Sequence, residues 1–396
     1  MSELASEPSA QGVTQPQGFR ASGVVAGIRN GEGPDLALVV NDGPQHAAAG
    51  VFTRNKVKAA PVLWSEQVLT TGRLRAVVLN AGNANACTGP EGFQTAHATA
   101  EKAAELLGCG AVEVAVCSTG LIGSQLPRDD VLEGVAAAHA ALGADAAAGL
   151  AAATAVMTTD TVAKQVGHAD PAGWTIGGFT KGAGMIAPSM ATTLTVVTTD
   201  AVVDAPVLDE ALRAAVRVSF DRLDIDGCMS TNDTVLLLAS GASGVVPDTA
   251  AFRAVLTDLC KDMARQMQAD AEGVTKRIAV RVAGAATEDD AVTIARTVAR
   301  DSLVKTALFG SDPNWGRIAA AVGYSDAAVD PDRIDVTING VLLCRGGVAA
   351  GDRAAVDLKG ADIVVEVVLG LGDGEAEILT TDLSHGYVEE NSAYSS

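Results

Sequence analysis

Several motifs that mark common classes of protein are missing from this sequence. The six cysteines, at positions 87, 109, 117, 228, 260 and 344, form no C-x-x-C pair, and the five histidines form no H-E-x-x-H cluster. We therefore expect buried, reduced thiols, with neither a disulfide framework nor a metal site. No G-x-G-x-x-G joins a strand to a helix and G-x-x-x-x-G-K-[ST] is absent, which disfavours dinucleotide and nucleoside triphosphate sites.

Positive charge, aromatic residues and long apolar runs are also scarce. The 28 Lys and Arg residues are outnumbered by 48 Asp and Glu residues, and the net charge is −20. An acidic surface repels phosphate backbones, so we expect no nucleic-acid partner, and an anionic substrate would need a local cation. No apolar run approaches 18 residues and no basic segment precedes an apolar one at the N-terminus, which predicts a soluble, cytoplasmic protein without a membrane partner.

The apolar runs that are present predict a mixed architecture. Those bounded by Gly, Asn or Pro predict strands at residues 35–40, 47–53, 75–80, 112–117, 334–338, 363–369 and 376–381. Helical patterns cover residues 95–108, 131–143, 205–220 and 248–273, and another helix opens at a capping box at Thr287. Interleaving without strict alternation predicts an α/β fold with layered sheets. A soft boundary near residues 283–286 separates a core of residues 1–284 from a smaller α+β domain of residues 285–396.

One stretch, from Lys181 to Asp200, combines a flexible loop with a stiff strand. Its first half, KGAGMIAPSMA, is built of small residues, and its second half, TTLTVVTT, is almost wholly β-branched. If the chain were cut between Ala191 and Thr192, Thr192 would carry a hydroxyl beside a free α-amine. Such an amine titrates near ~8 and can take a proton at neutral pH, whereas a Lys amine near ~10.4 cannot. Spacing alone favours an ordinary connection between a loop and a strand.

Four other segments offer polar groups, and each also fits an ordinary structural role. The segment from Cys117 to Gly123, CSTGLIG, could direct a hydroxyl and backbone N–H groups at an oxyanion, or form a plain turn. The TTDT run that starts at Thr158 could present hydroxyls to a substrate, or bond its own backbone. Glu272 lies in the last turn of a helix, where a carboxylate opposes the helix dipole, and an ion pair with Lys276 would account for it. The polar C-terminus is of a kind that is usually disordered.

Taken together, these segments resemble one enzyme family. KGAGMIAPSMATTL, STGLIG, TTDT, QADAEGVTK, FGSDPNWGRI and the terminal YVEENSAYSS are similar to the motifs of ornithine acetyltransferase, the bifunctional glutamate N-acetyltransferase of arginine biosynthesis. The resemblance extends from about Gly50 to the last residue. It implies that the precursor cuts itself at Ala191-Thr192 into an α-chain of residues 1–191 and a β-chain of residues 192–396. It implies an α/β sandwich, frequently assembled from two α- and two β-chains.

The resemblance also implies the reaction and its residues. Thr192 matches the nucleophile, which takes the acetyl group from N2-acetylornithine and passes it to glutamate. Thr119 and Gly120 match the oxyanion hole. The positions that match substrate-contacting residues are Thr158, Lys181, Thr192, Glu272, Asn391 and Ser396. No cofactor is implied, and the sequence leaves open whether acetyl-CoA is an alternative donor. Thr193 departs from the family pattern, which often has Met there.

Two further hypotheses compete with the acetyltransferase. An N-terminal-Thr amidase or aminopeptidase would use the same nucleophile and hydrolyse its acyl-enzyme, so it would need no glutamate. A non-catalytic α/β protein that binds amino acids would remain uncut. Comparing ornithine release with and without glutamate separates the acetyltransferase from the amidase. The size of the denatured chains shows whether the protein remains uncut, as the non-catalytic hypothesis predicts.

Overall fold

The computed structural model describes residues 12–29, 31–187 and 193–393. The chain forms two compact units. The first contains residues 1–221 and 228–267, and the second contains residues 222–227 and 268–396. This division falls earlier in the chain than the expected boundary at residues 284/285. The strand pairing in the second unit, described below, explains the difference.

The first unit contains two sheets. Its strands are β1 (Phe19–Val24), β2 (Leu36–Asn41), β3 (Ala47–Phe52), β4 (Ala76–Asn80), β5 (Val114–Ser118), β6 (Lys164–Ala169), β7 (Thr175–Lys181), β8 (Leu194–Thr199) and β9 (Thr234–Ala239). The four-stranded sheet has the order β1-β2-β4-β5, and the five-stranded sheet has the order β3-β9-β8-β7-β6. Strands β8 and β9 pair in parallel, with Leu194 opposite Thr234. Both strands therefore begin at the same edge of the sheet.

Helices cover these sheets. They are α1 (Ala60–Leu69), α2 (Gly89–Leu107), α3 (Arg128–Ala140), α4 (Ala146–Ala155), α5 (Ala205–Arg217) and α6 (Thr249–Ala269), the last two residues of α6 lying in the second unit. Helices α3 and α4 pack on β1 and β2, and α5 packs on β3. One continuous apolar cluster includes residues of both sheets, among them Leu38, Val78, Phe179 and Val196. The prediction of a layered α/β fold is confirmed.

The second unit is built around a six-stranded sheet of order β13-β12-β11-β14-β10-β15. Its strands are β10 (Arg277–Ala285), β11 (Asp335–Ile338), β12 (Val341–Arg345), β13 (Val348–Ala349), β14 (Asp362–Val368) and β15 (Gly374–Thr381). Its helices are α7 (Glu288–Arg300), α8 (Ser302–Phe309), α9 (Trp315–Gly323) and α10 (His385–Ala393). Because β10 lies between β14 and β15, it belongs to this unit, and the division of the chain precedes it.

Local signals in the sequence have the expected structural consequences at several helix ends. The Thr287 hydroxyl caps α7 by accepting the N–H of Asp290, and Gly108 ends α2 with φ of 65°. The expectation about the cysteines is wrong in part, because Cys87 and Cys228 are exposed and Cys109 is half-buried. Among the described helices, none has the length and apolar character needed to span a bilayer.

Candidate functional site

Lys181, the last residue of β7, is the centre of a buried polar cluster in the first unit. Its side chain is only 1% exposed. The ammonium Nζ donates to Thr158 Oγ1 at 2.8 Å and to Thr119 Oγ1 at 3.4 Å. It lies 3.9 Å from Asp160 Oδ2. Three residues that the sequence separates by up to 62 positions, Thr119, Thr158 and Lys181, therefore meet at one ammonium group.

Asp160 was not among the predicted site residues, yet it links two of the motifs. The Thr158 N–H donates to its Oδ2 at 3.1 Å, which is the local bond that a turn would provide. Its Oδ1, however, accepts from Lys164 Nζ at 2.6 Å and from the Gly182 N–H at 2.7 Å. Burial raises the pKa of Asp160, but the charges of Lys181 and Lys164, with these hydrogen bonds, lower it to about 2. Asp160 is thus an anion that compensates buried ammonium groups.

Thr119 and Gly120 follow directly after β5, and their backbone is tightly determined. The Thr119 N–H donates to the Asn80 carbonyl at 2.9 Å. Gly120 has φ of 132°, and a Cβ at this position would collide with the backbone of Gly82. Only glycine fits here. No acceptor for the Gly120 N–H is found within the described ranges. The pair therefore presents a hydroxyl and an uncommitted amide on a rigid loop.

Asn232 and Asp233, which lie directly before β9, were not among the predicted site residues. Asn232 Nδ2 donates to the carbonyls of Ala84 at 2.6 Å and Ser118 at 2.8 Å, which fixes the residue before Thr119. Asp233 Oδ1 accepts the Thr193 N–H at 3.2 Å. The signal in the sequence was this polar pair, which stands directly before the apolar run of β9.

In the second unit, Glu272 meets the C-terminal helix. Asn391 Nδ2 donates to Glu272 Oε2 at 2.8 Å. The predicted alternative, an ion pair between Glu272 and Lys276, is wrong, because Lys276 Nζ donates instead to the carbonyls of Leu358 at 2.7 Å and Gly360 at 2.9 Å. Disorder was also the wrong expectation for residues 385–393, which form α10.

Gly273 is the point at which α10 contacts the segment that contains Glu272. Its φ is 60°, and a Cβ would collide with the backbone nitrogen of Tyr387. The Gly273 N–H donates to Glu390 Oε1 at 3.2 Å, and the Ser384 hydroxyl donates to the Gly273 carbonyl at 2.5 Å. We call Glu272, Gly273, Ser384, Glu390 and Asn391 the C-terminal clasp.

Three predicted residues, Ala191, Thr192 and Ser396, lie outside the described residues. The described part of the chain contains no group of three or more His, Cys, Asp or Glu side chains that could hold a metal ion.

The sequence matches a family model over residues 20–396, and the model is that of the ArgJ family. An arginine biosynthesis bifunctional protein ArgJ from Mycolicibacterium paratuberculosis is 62% identical over 391 residues, which cover 98% of this chain and 97% of the relative. The protein of the same name from Streptomyces coelicolor is 58% identical and covers 97% of this chain and 100% of the relative.

A solved structure is similar as well. It is described as ornithine acetyltransferase from Mycobacterium tuberculosis complexed with ornithine. The matched chain is 61% identical, with a TM-score of 0.45, over 45% of this chain and 95% of that chain.

Proposed function

The chain belongs to the ArgJ family, and from that premise we propose that it transfers the acetyl group of N2-acetylornithine to glutamate through an acetyl ester on Thr192. Ornithine leaves in the first half-reaction and N-acetylglutamate in the second. We include acetyl-CoA as an alternative donor of the same acetyl group. The observation that carries the proposal is that the buried Lys181 ammonium group contacts the hydroxyls of both Thr119 and Thr158.

The nucleophile arises by cleavage of the Ala191-Thr192 bond. The free α-amine of Thr192, with a pKa near ~8, takes the proton of its own hydroxyl as the oxygen attacks the acetyl carbonyl. The C–N bond to ornithine then breaks, and the leaving amine takes that proton. Glutamate reverses these steps, because its amine attacks the Thr192 ester and the hydroxyl is restored.

Thr119 and Gly120 are suited to hold the tetrahedral oxyanion of each half-reaction. Because Lys181 donates to the Thr119 oxygen, the Thr119 hydroxyl hydrogen is available to another acceptor, and the adjacent positive charge makes it a stronger donor. The Gly120 N–H supplies a second donor. Loss of one such donor typically lowers the rate by on the order of 100-fold or more.

The remaining residues are assigned to substrate binding. Lys181 and Thr158 suit the α-carboxylate that both amino-acid substrates carry, since Lys181 supplies a cation on a protein of net charge −20. Glu272 suits an ammonium group, and Asn391 and Ser396 complete the contacts that the family resemblance implies. This carbonyl chemistry needs no cofactor, because a nucleophile, a base and oxyanion donors are sufficient.

We further propose a cytoplasmic assembly of two α- and two β-chains, with no nucleic-acid or membrane partner. The strongly acidic composition supports the absence of nucleic acid. Light scattering of the purified protein measures the assembly, and a mass equal to one α- and one β-chain would contradict it.

Substitution at Thr192 tests the function most directly. The wild-type protein, of 39.9 kDa, should give two bands of similar size on a denaturing gel. Thr192→Ala should stay uncut and inactive, and Thr192→Ser should cut more slowly because a hydroxyl remains. Intact-mass spectrometry identifies the cleavage point.

An assay with N2-acetylornithine, with and without glutamate, separates transfer from hydrolysis. Ornithine release should depend on glutamate. Equal release in both tubes would show that the protein is an amidase rather than a transferase. An active preparation that contains only the uncut chain would contradict the proposed acetyl ester on Thr192.

A further inference from the structure

Thr193 is the first described residue after the predicted junction, and every polar group it carries is held. Its N–H donates to Asp233 Oδ1 at 3.2 Å, and its carbonyl accepts the Thr234 N–H at 2.9 Å. Its hydroxyl lies 2.8 Å from the hydroxyls of both Thr180 and Thr195. All five residues are buried. The backbone nitrogen that bonds covalently to Thr192 is therefore fixed in the first unit.

Asp233 is a buried carboxyl with one uncommitted oxygen. The residue is 0% exposed. Oδ1 accepts the Thr193 N–H, whereas Oδ2 has no hydrogen-bond partner within the described ranges. An unpaired polar atom in the interior destabilises the folded state, so the free oxygen of Asp233 calls for a role beyond packing.

The surroundings of Asp233 favour its protonated form. Burial raises its pKa well above the usual value, although the Thr193 N–H, the Lys181 charge and the nearby Ser230 and Thr53 hydroxyls, which form no hydrogen bond to Oδ2, act in the opposite direction. Of these groups Lys181, on β7, is the one that carries a charge, while Ser230, Thr53 and Thr193 do not titrate in the ordinary range. Lys181 in turn lies beside Asp160, whose carboxylate balances it.

Covalent geometry limits how far the Thr192 nitrogen can be from this carboxyl. The α-nitrogen of Thr192 is three bonds from the Thr193 nitrogen and so lies within about 4 Å of it in any conformation. The Thr193 nitrogen is itself 3.2 Å from Asp233 Oδ1. The covalent bond therefore limits the distance between Asp233 Oδ1 and the nitrogen that must gain a proton when the chain is cut to at most about 7 Å.

We propose that Asp233 carries the proton that moves during cleavage of the Ala191-Thr192 bond. The inference rests on the proposed function, because it assumes that Thr192 cuts the chain. The Thr192 hydroxyl adds to the Ala191 carbonyl carbon, and the bond from that carbon to the Thr192 nitrogen breaks. Asp233 gives its proton to the nitrogen and takes the proton that the hydroxyl loses. Water then hydrolyses the Ala191 ester to a carboxylate and the free Thr192 hydroxyl.

Asp200, at the opposite end of β8, provides a matched control. It is also buried, but both its oxygens are partnered, since Oδ1 accepts the Thr175 N–H at 2.6 Å and Oδ2 the Gln17 N–H at 3.1 Å. Asp200→Asn should therefore leave the rate of cleavage unchanged. Asp233→Asn keeps an oxygen for the Thr193 N–H and the shape of a neutral carboxylic acid, so the fold should survive.

The experiment uses the full chain with Thr192→Ser, whose slow cleavage leaves precursor to purify. The rate at which the two fragments appear is measured by mass spectrometry between about pH 4 and about pH 9. Adding Asp233→Asn should slow cleavage by about 100-fold or more and remove its pH dependence, while Asp200→Asn changes neither. Cleavage of the Asp233→Asn variant at the parent rate, with the parent pH profile, would leave Asp233 only a structural role and overturn the inference.

Two other outcomes are also decisive. If the Asp233→Asn chain does not fold, the Thr192→Ser parent decides, because a cleavage rate that is equal in ordinary and in heavy water contradicts the transfer of a proton by a side chain. If the wild-type chain is active but never cut, the proposed function itself fails. An Asp233→Asn variant that is cut at the parent rate would instead overturn only the inference about Asp233.

Discussion

The described candidate residues lie in two regions that different interactions stabilise. One is the C-terminal clasp, and the other is the Lys181 cluster, which comprises Thr119 with the adjacent Gly120, Thr158, Asp160, Lys164 and Lys181. In the cluster, Lys181 and Lys164 are 1% exposed and Asp160 compensates their charge at the ends of strands. In the clasp, Asn391 is exposed on α10, a helix with no buried residue, and the contact depends on one glycine. The cluster belongs to the core, so damage to it should affect folding, whereas damage to the clasp should affect substrate binding.

Removing the Asp160 charge should have the largest effect and break the cluster. Asp160→Asn leaves two buried ammonium groups without their anion, and breaking a buried ion pair typically costs about 3–5 kcal/mol. We expect a lower midpoint of thermal unfolding together with loss of transferase activity. Thermal unfolding followed by circular dichroism measures the first, and ornithine release measures the second.

The control is the exposed pair of Asp209 and Arg213, 2.8 Å apart. Asp209→Asn should change stability by less than about 1 kcal/mol. Equal effects of the two substitutions would show that the cluster is not held by charge.

The same carboxylate predicts a dependence of stability on pH. Its pKa in the folded state, about 2, lies below its ordinary value of 3.8. The folded state therefore favours the ionised form, and the stabilisation is complete above about pH 4 and is lost as the pH falls toward about 2. Asp160→Asn should lack this acid-dependent loss.

An intermediate effect is expected at the clasp, where Gly273→Ala should release α10 while the rest of the chain remains folded. The added Cβ meets the Tyr387 backbone and φ of 60° disfavours alanine. We expect faster proteolysis of the C-terminus and a KM for glutamate raised by about 10-fold or more, since two or three hydrogen bonds of about 1 kcal/mol each are disturbed.

Gly310→Ala is the matched substitution in the same unit, because Gly310 has φ of −75° and a Cβ there has no neighbour closer than 3.5 Å. It should leave KM unchanged. A Gly273→Ala protein with a normal KM and an equally resistant C-terminus would separate the clasp from substrate binding.

The smallest effect should come from Asn391→Ala, which removes one hydrogen bond to Glu272. A loss of about 1 kcal/mol corresponds to a KM raised by about fivefold with little change in thermal stability. Ser392→Ala is the control, because within the described residues its hydroxyl bonds only the Glu389 carbonyl of the same helix. A larger effect at Ser392 than at Asn391 would contradict the assignment of Asn391 to the site.

How far the sequence predicted the site depended on the distance between partners along the chain. The strand that precedes Thr119, the cap at Thr287 and the β-branched run of β8 follow from neighbouring residues, and their prediction was close. Asp160 was interpreted from its local turn alone, and that bond exists, but its decisive partners are Lys164, Lys181 and the Gly182 N–H. Asp233 was overlooked because Thr193, its partner, is 40 residues away.

By itself, the sequence determined the elements and the chemistry available to them. Glycines at strained positions, β-branched runs and the resemblance of several motifs together depend only on local geometry and residue type. Tertiary structure alone decided which charges compensate one another, that Glu272 meets Asn391 across 119 residues rather than Lys276, and that the polar tail becomes a helix. The reason is that burial determines the energy of a polar group through its partners, and the folded chain supplies those partners from distant segments.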